Sequence, residues 1–198
     1  MIRRQCRIRE EGSPGSYPGP LSDRGFGAGP ATEQVTAPIE RTQHMDLADI
    51  LPADSIIPSL DVTCKKQALN ELSLRAAEVT GLDQRAIFDA LLQRERLGST
   101  GLGRGIAIPH VKFKALKGIV CLFARLAKPI PFDSQDDQDV DLIFLLLAPE
   151  HASGDHLKAL ARISRLVREP ATLEQLRSAK DADTIRRLLS VTTASHAA

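Results

Sequence analysis

This chain has almost no net charge, few cysteines and no long hydrophobic run, and each shortage removes a class of function. Lys plus Arg number 26 against 25 Asp plus Glu, a formal net charge of +1, so no overall basic field exists to hold nucleic acid or an anionic membrane. The three cysteines, Cys6, Cys64 and Cys121, are odd in number and widely spaced. They fit neither a disulfide framework nor a Cys-x-x-Cys metal site, and a reducing cytoplasm is the simplest setting for them. The longest clear apolar run, Leu142 to Ala148, falls well short of the roughly 20 residues of a membrane helix, so no membrane insertion is expected. The basic start, Met1 to Arg7, has no apolar segment behind it and does not read as a signal peptide.

What the chain does have is the composition of an ordinary globular protein, 42% hydrophobic and 26% charged. The first 44 residues hold 11 of the 25 Gly and Pro residues, and their aliphatic residues follow no period. Such a segment cannot bury enough apolar surface to offset chain entropy. Residues 1–44 are therefore expected to be a disordered tail or to reflect a start assigned too early, since Met45 stands where the composition changes. One domain is expected over residues 45–198, in which basic and acidic residues balance at 20 each.

From Met45 onward, hydrophobic periodicity alternates between helical and strand-like. Ser55 to Leu60 reads as a short strand. Thr63 is placed to cap a helix whose apolar face is Ala68, Leu69, Leu72, Ala76 and Val79, with Gly81 ending it. Asp83 then caps a second helix, carrying Ile87, Phe88, Leu91 and Leu92 and running to about Arg96. Beyond a glycine-rich loop lie three extended segments, Ile106 to Pro109, Ile119 to Leu126 and Val140 to Ala148. The last two are nearly continuous apolar runs, as in central strands covered on both faces. Asp155 to Val167 is a further amphipathic helix, and Pro170 to Leu189 supplies one or two more. The fold class that follows is α/β, a central mixed sheet sandwiched between helices.

The chemistry concentrates in Arg94 to His110. Four glycines in eight residues, Gly98 to Gly105, allow main-chain N–H groups to converge on an anion. The loop lacks the Gly-Lys-Ser/Thr ending of a nucleotide P-loop, and it precedes a strand rather than a helix, so dinucleotide binding fails as well. Its ending, Gly105-Ile106-Ala107-Ile108-Pro109-His110, is more specific: a short apolar strand stopped by proline delivers an imidazole at a rigid edge. Neutral imidazole is available near pH 7 and can form a phosphoramidate by in-line attack. Such a transfer asks for positioning and charge stabilisation more than for covalent machinery.

The run Gly98 to His110, the later Pro131-Phe132-Asp133-Ser134-Gln135-Asp136-Asp137, then Val140 to Glu150 and Asp155-His156-Leu157-Lys158-Ala159-Leu160 resemble the nitrogen-related enzyme IIA proteins. These belong to the bacterial phosphoenolpyruvate phosphotransferase system and share the fold of the mannitol and fructose IIA domains. The resemblance spans Met45 to about Leu189. It implies a phosphocarrier with a phosphohistidine intermediate, not an independent turnover enzyme, in which His110 is the phosphoacceptor, His156 supports the phosphoryl group and Arg94 lies nearby. The implied donor is a small histidine phosphocarrier protein, and the implied readout is control of nitrogen-, potassium- or carbon-related regulatory target proteins. No cofactor is implied. The residues after the histidine, Val111 to Lys117, depart from the small residue and Pro-Gly turn common in relatives, a departure that bears on partner recognition. A binding module of the same fold that never carries phosphate, and a sugar-specific IIA serving separate membrane subunits, are the alternatives.

Each candidate also has a plainer role open to it. His156 shares a helical stripe with Leu160, Ile163 and Val167 and could simply edge the core, although the positive end of its helix keeps it a neutral donor suited to a phosphate oxygen. Arg94 could do no more than satisfy a helix C-terminus. Ser99 and Thr100 could bind phosphate or hold the turn, while Gly101 and Gly103 could offer backbone N–H groups. The acidic residues Asp133, Asp136, Asp137, Asp139 and Asp141 form no calcium loop and are expected in a solvated loop. His110, His156 and Cys121 lack the spacings of a zinc site, so no metal is expected.

Overall fold

The two long apolar runs become the centre of a six-stranded mixed sheet. The computed structural model describes residues 47–194, so the expectation for residues 1–44 lies outside the described residues. After a short 3-10 helix, Leu47–Ile50, the order is β1 (Ile56–Leu60), α1 (Lys65–Thr80), α2 (Gln84–Arg96), β2 (Gly101–Gly103), β3 (Ile106–Ala107), β4 (His110–Phe113), β5 (Val120–Ile130), β6 (Val140–Pro149), α3 (Ser153–Leu166), α4 (Pro170–Ser178) and α5 (Ala182–Ala194). The sheet order is β1-β5-β6-β3-β2, with β4 also on β6.

Side chains of β5 and β6 alternate between two cores. Cys121, Phe123, Leu142, Phe144 and Leu146 face α3, α4 and α5, while Leu122, Ala124, Ile143, Leu145 and Leu147 face α1 and α2. Every residue from Leu142 to Ala148 is fully enclosed. At roughly 1.5–3 kcal/mol for each large side chain buried, this one strand supplies a major share of the driving force. Because both faces are covered, the strand reads as a continuous apolar run rather than an alternating one.

The helices start and stop for local reasons. Asp83 Oδ1 accepts the Ala86 N–H at 2.8 Å and caps α2. Gly81, at φ +72°, ends α1 by donating its N–H to the Ala77 carbonyl at 2.8 Å. Thr63 does not cap α1: the cap position is Cys64, which makes no side-chain cap bond. Thr63 instead donates its N–H (3.0 Å) and hydroxyl (3.2 Å) to Gln67 Oε1, so the reciprocal bond comes back from inside the helix.

Three strand boundaries differ from the sequence expectation. Pro109 does not end the pairing along β6. β3 and β4 lie end to end along β6, both parallel to it, with Ile106 opposite Leu142 and His110 opposite Leu146. Proline removes one donor, but its carbonyl still accepts the Leu146 N–H at 2.9 Å, which keeps the chain on the ladder. Inside the glycine-rich segment, Gly101–Gly103 forms β2 antiparallel to β3. The tight return uses Gly103 and Gly105 at φ +94° and +79°, and forces Arg104 between them to φ +58°. β5 runs on to Ile130 through Pro129, where its register against β6 shifts, the kind of place a proline is tolerated in a strand.

Candidate functional site

His110 opens β4, half-buried, and its two ring nitrogens have different partners. Nδ1 lies 2.9 Å from the Ile108 carbonyl oxygen and Nε2 lies 3.3 Å from Arg94 Nε. A carbonyl only accepts and a guanidinium only donates, so the two contacts agree on one neutral tautomer: Nδ1 carries the proton and Nε2 the lone pair. Arg94 comes from the last turn of α2, and its Nη1 donates to the Gly98 carbonyl at 2.9 Å, which fixes the fork.

His156 stands in the first turn of α3 and is buried. Its ring is 5.4 Å from that of His110, centroid to centroid, at an interplanar angle of 53°. Its Nδ1 is buried without a hydrogen-bond partner. Most buried polar atoms are paired, and an exception in a histidine cluster points to a site that works on something.

Both rings are held below the ordinary histidine value of 6.5. For His110 burial is the largest cause, and the Ile108 carbonyl pulls the other way. Arg94 and Lys112 lower its pKa further, and Glu95 raises it. For His156 burial again leads, followed by the nearby His110 and Lys112. Neutral imidazoles at pH 7 follow, one with a free-electron-pair nitrogen aimed at an arginine.

Lys112 was not visible as part of this cluster in the sequence. It lies two residues beyond His110 on the same face of β4, and its Nζ donates to Ser153 Oγ at 3.0 Å, strapping β4 to the start of α3. The signal existed as period two along a strand, but a strand taken to end at Pro109 hides it.

The structure thus brings His110, His156 and Arg94 together, whereas the Ser99–Gly103 residues are engaged elsewhere. Ser99 Oγ donates to the Phe132 carbonyl at 2.6 Å and accepts the Gly101 N–H at 3.1 Å. The Thr100 hydroxyl donates to Glu95 Oε1, and its N–H reaches Glu95 Oε2 at 3.2 Å. A Cβ on Gly103 would stand 2.9 Å from Asp136 Oδ2, the same oxygen that accepts the Arg104 N–H at 2.7 Å. The anion met by this backbone is the chain's own carboxylate.

Asp133, Asp136, Asp137 and Asp139 are exposed between β5 and β6, as expected of a solvated loop, while Asp141 lies half-buried in β6. Asp133 pairs with Lys65 at 3.2 Å, and Asp141 takes a two-pronged bond from Arg177 at 2.7 and 3.1 Å. Cys121 sits in the core beneath β5, where burial pushes its thiol up to about 12.

Comparison with known proteins identifies the family and the fold. The sequence model of the family described as "Phosphoenolpyruvate-dependent sugar phosphotransferase system, EIIA 2" matches residues 49–191. A nitrogen regulatory protein of Bradyrhizobium diazoefficiens is 53% identical over 147 residues, covering 74% of this chain and 96% of that protein. A fructose-specific EIIA component of Haloferax volcanii is 35% identical over 146 residues, covering 73% and 95%. The crystal structure of the nitrogen regulatory protein IIA-Ntr from Neisseria meningitidis superposes with a TM-score of 0.69 at 36% identity, covering 72% of this chain and 97% of that one. No helix among the described residues is long and apolar enough to cross a membrane. The match over residues 49–191, together with the 53%-identical relative and the fold shared with IIA-Ntr, places the chain in the EIIA 2 family of the phosphotransferase system.

Proposed function

We propose that this chain is a regulatory phosphocarrier that takes a phosphoryl group onto His110 Nε2 from the phosphohistidine of a small histidine phosphocarrier protein. The Nε2–P bond forms as the donor's N–P bond breaks, and the donor imidazole leaves with its electron pair. Nothing is oxidised or reduced.

The observation that carries this reading is the pairing of His110 Nε2 with Arg94 Nε at 3.3 Å, while Nδ1 is tied to Ile108. The guanidinium stands at the nitrogen that must attack. An arriving phosphoryl group displaces it from the lone pair and receives the same N–H groups on its oxygens, which is the charge stabilisation this transfer needs. His156 supports a second oxygen with a neutral N–H, and Lys112 adds positive charge at the same face. Ser99 and Thr100 act through the turn. Leu97, three residues beyond Arg94, and Leu157, beside His156, are 86% and 65% exposed and offer apolar contacts to a docking protein.

The nitrogen regulatory name of the 53%-identical relative favours control of regulatory targets in the cytoplasm as the readout. The fructose-specific relative keeps a sugar-transport role as the second reading. Incubation with phosphoenolpyruvate, enzyme I and the histidine phosphocarrier should place one acid-labile phosphate on His110, and His110→Ala should take none while melting normally. Phosphate on another residue, or none on the folded wild type, overturns the proposal. Onward transfer to the cytosolic domain of a sugar permease would favour the second reading.

A further inference from the structure

We propose that Glu95 and Thr100 are positioning residues that select the tautomer of His110 through the Ile108 carbonyl, an inference resting on His110 as the phosphoryl acceptor. Neither touches the ring. Glu95 has a side chain only 6% exposed, and Lys65 Nζ, reaching from the start of α1, holds Glu95 Oε2 at 2.7 Å. Both carboxylate oxygens then grip Thr100, one through its hydroxyl and the other through its N–H at 3.2 Å. The Thr100 carbonyl accepts the Ile108 N–H at 3.0 Å, and the Ile108 carbonyl accepts from His110 Nδ1 at 2.9 Å.

The chain of bonds has consequence because Ile108 is fixed on both sides. Proline at 109 confines Ile108 to extended conformations. The Pro109 carbonyl is itself bound by the Leu146 N–H at 2.9 Å. The remaining freedom in the direction of the Ile108 carbonyl is removed by the Thr100 anchor on its N–H. Which imidazole nitrogen carries the proton is decided by the hydrogen bond the ring makes, so a carbonyl aimed at Nδ1 leaves Nε2 as the nucleophile. A carbonyl that wanders releases the ring to the other tautomer, in which Nε2 is protonated and cannot attack.

Burial of a carboxylate beside Arg94 also needs this arrangement. Glu95 spends its charge on Lys65 and Thr100, and so leaves the neighbouring guanidinium to His110. Lys65 keeps further partners in the Phe132 and Asp133 oxygens, both at 3.2 Å, so neutralising Glu95 does not strand a buried cation.

The test reads the tautomer directly, from the ring-nitrogen NMR signals of the 15N-labelled full chain above pH 7. In the wild type the His110 signals should report Nδ1–H. Thr100→Val removes the hydroxyl at nearly constant volume and should raise the Nε2–H form to a comparable population. Phosphoryl acceptance should slow about 10-fold, in keeping with the sensitivity of transfer to small misplacements. Thr100→Ser should restore both. Glu95→Gln, which keeps the shape, should shift the tautomer the same way and carries the measurement if Thr100→Val does not fold. An unchanged tautomer in either folded variant overturns the proposal. The NMR reading needs no phosphoryl donor, so a wild-type chain that takes no phosphate overturns the carrier reading alone.

Discussion

His110 and His156 face each other across 5.4 Å from two elements, the start of β4 and the first turn of α3. Lys112 and Ser153 repeat that pairing one step along, joined at 3.0 Å. The register of a strand and the turn of a helix therefore fix four side chains at once. Burial is the main reason both rings stay neutral; Arg94 and Lys112 add to it for His110, and His110 and Lys112 for His156.

The role of His156 can be separated from packing by kinetics. Removing one preorganised donor from an electrostatic site typically costs about 10²- to 10³-fold in rate, so His156→Ala should slow phosphorylation of His110 by that order while the fold persists. Deleting a buried nitrogen that has no partner offsets part of the cavity cost, which keeps the loss of stability small. Glutamine, which can also donate, should recover part of the rate. Timed phosphorylation beside thermal melts checks this, and a folded Ala variant at wild-type rate would remove His156 from the site.

Stability should carry the signature of these two rings. Both have folded pKa values below the ordinary 6.5, so between the folded value and 6.5 the unfolded chain binds more protons. The stability they contribute is fully present above about pH 6.5 and is lost as pH falls through their folded values. Phosphoryl acceptance should be flat near neutrality and fall in the same acidic window, as Nε2 is protonated. Denaturant melts from pH 5 to 8 on the wild type and on His110→Ala/His156→Ala should show this slope in the first and its reduction in the second.

Much of this was legible in the sequence because period and punctuation agree. The 3.6-residue spacing of Ala68, Leu69, Leu72 and Ala76, closed by Gly81, gave α1, and the unbroken run of Leu142 to Ala148 gave a strand covered on both faces. Pro109 misled in an instructive way. It signals a strand end through its missing N–H, yet its carbonyl keeps the ladder, and with β4 unseen, Lys112 stayed hidden. The Glu95–Thr100 bonds are tertiary. Five residues apart and bridged from Lys65 on another helix, they leave no periodic trace, so the two hydroxyls beside a glycine-rich loop read either as phosphate ligands or as holders of the turn.

The described cysteines should differ sharply in reactivity. Cys64 is exposed at the cap of α1, while Cys121 is fully enclosed with its thiol pushed up to about 12. The thiolate is the reacting species, so burial removes both access and nucleophile. Alkylation at pH 7.5 followed by peptide mapping should find Cys64 modified within minutes and Cys121 only after denaturant is added. Rapid native labelling of Cys121 would mean that β5 opens far more readily than its packing allows.

Arg94 lends itself to a test whose two readouts move in opposite directions. Its Nε–H rests on the lone pair of His110 Nε2, so in the resting protein the guanidinium shields the very atom it later helps. Arg94→Ala should expose that lone pair, and His110 should be acylated faster by diethyl pyrocarbonate, a small neutral reagent that needs nothing from the arginine. Loss of the cation also lets the His110 pKa rise, because Arg94 is one of the groups that lowers it; working at pH 7.5 or above keeps the ring neutral in both proteins. Phosphoryl acceptance from the carrier should fall instead, by about 10²-fold or more, because the transferring group loses its charged donor. Arg94→Lys keeps the charge but cannot hold Gly98 and the phosphoryl oxygens with one planar fork, and should fall between Ala and wild type. If Arg94 served only the C-terminal end of α2, Lys would match the wild type in every assay. Ala would then lower the melting temperature, with no gain in acylation and no loss of transfer in the folded fraction.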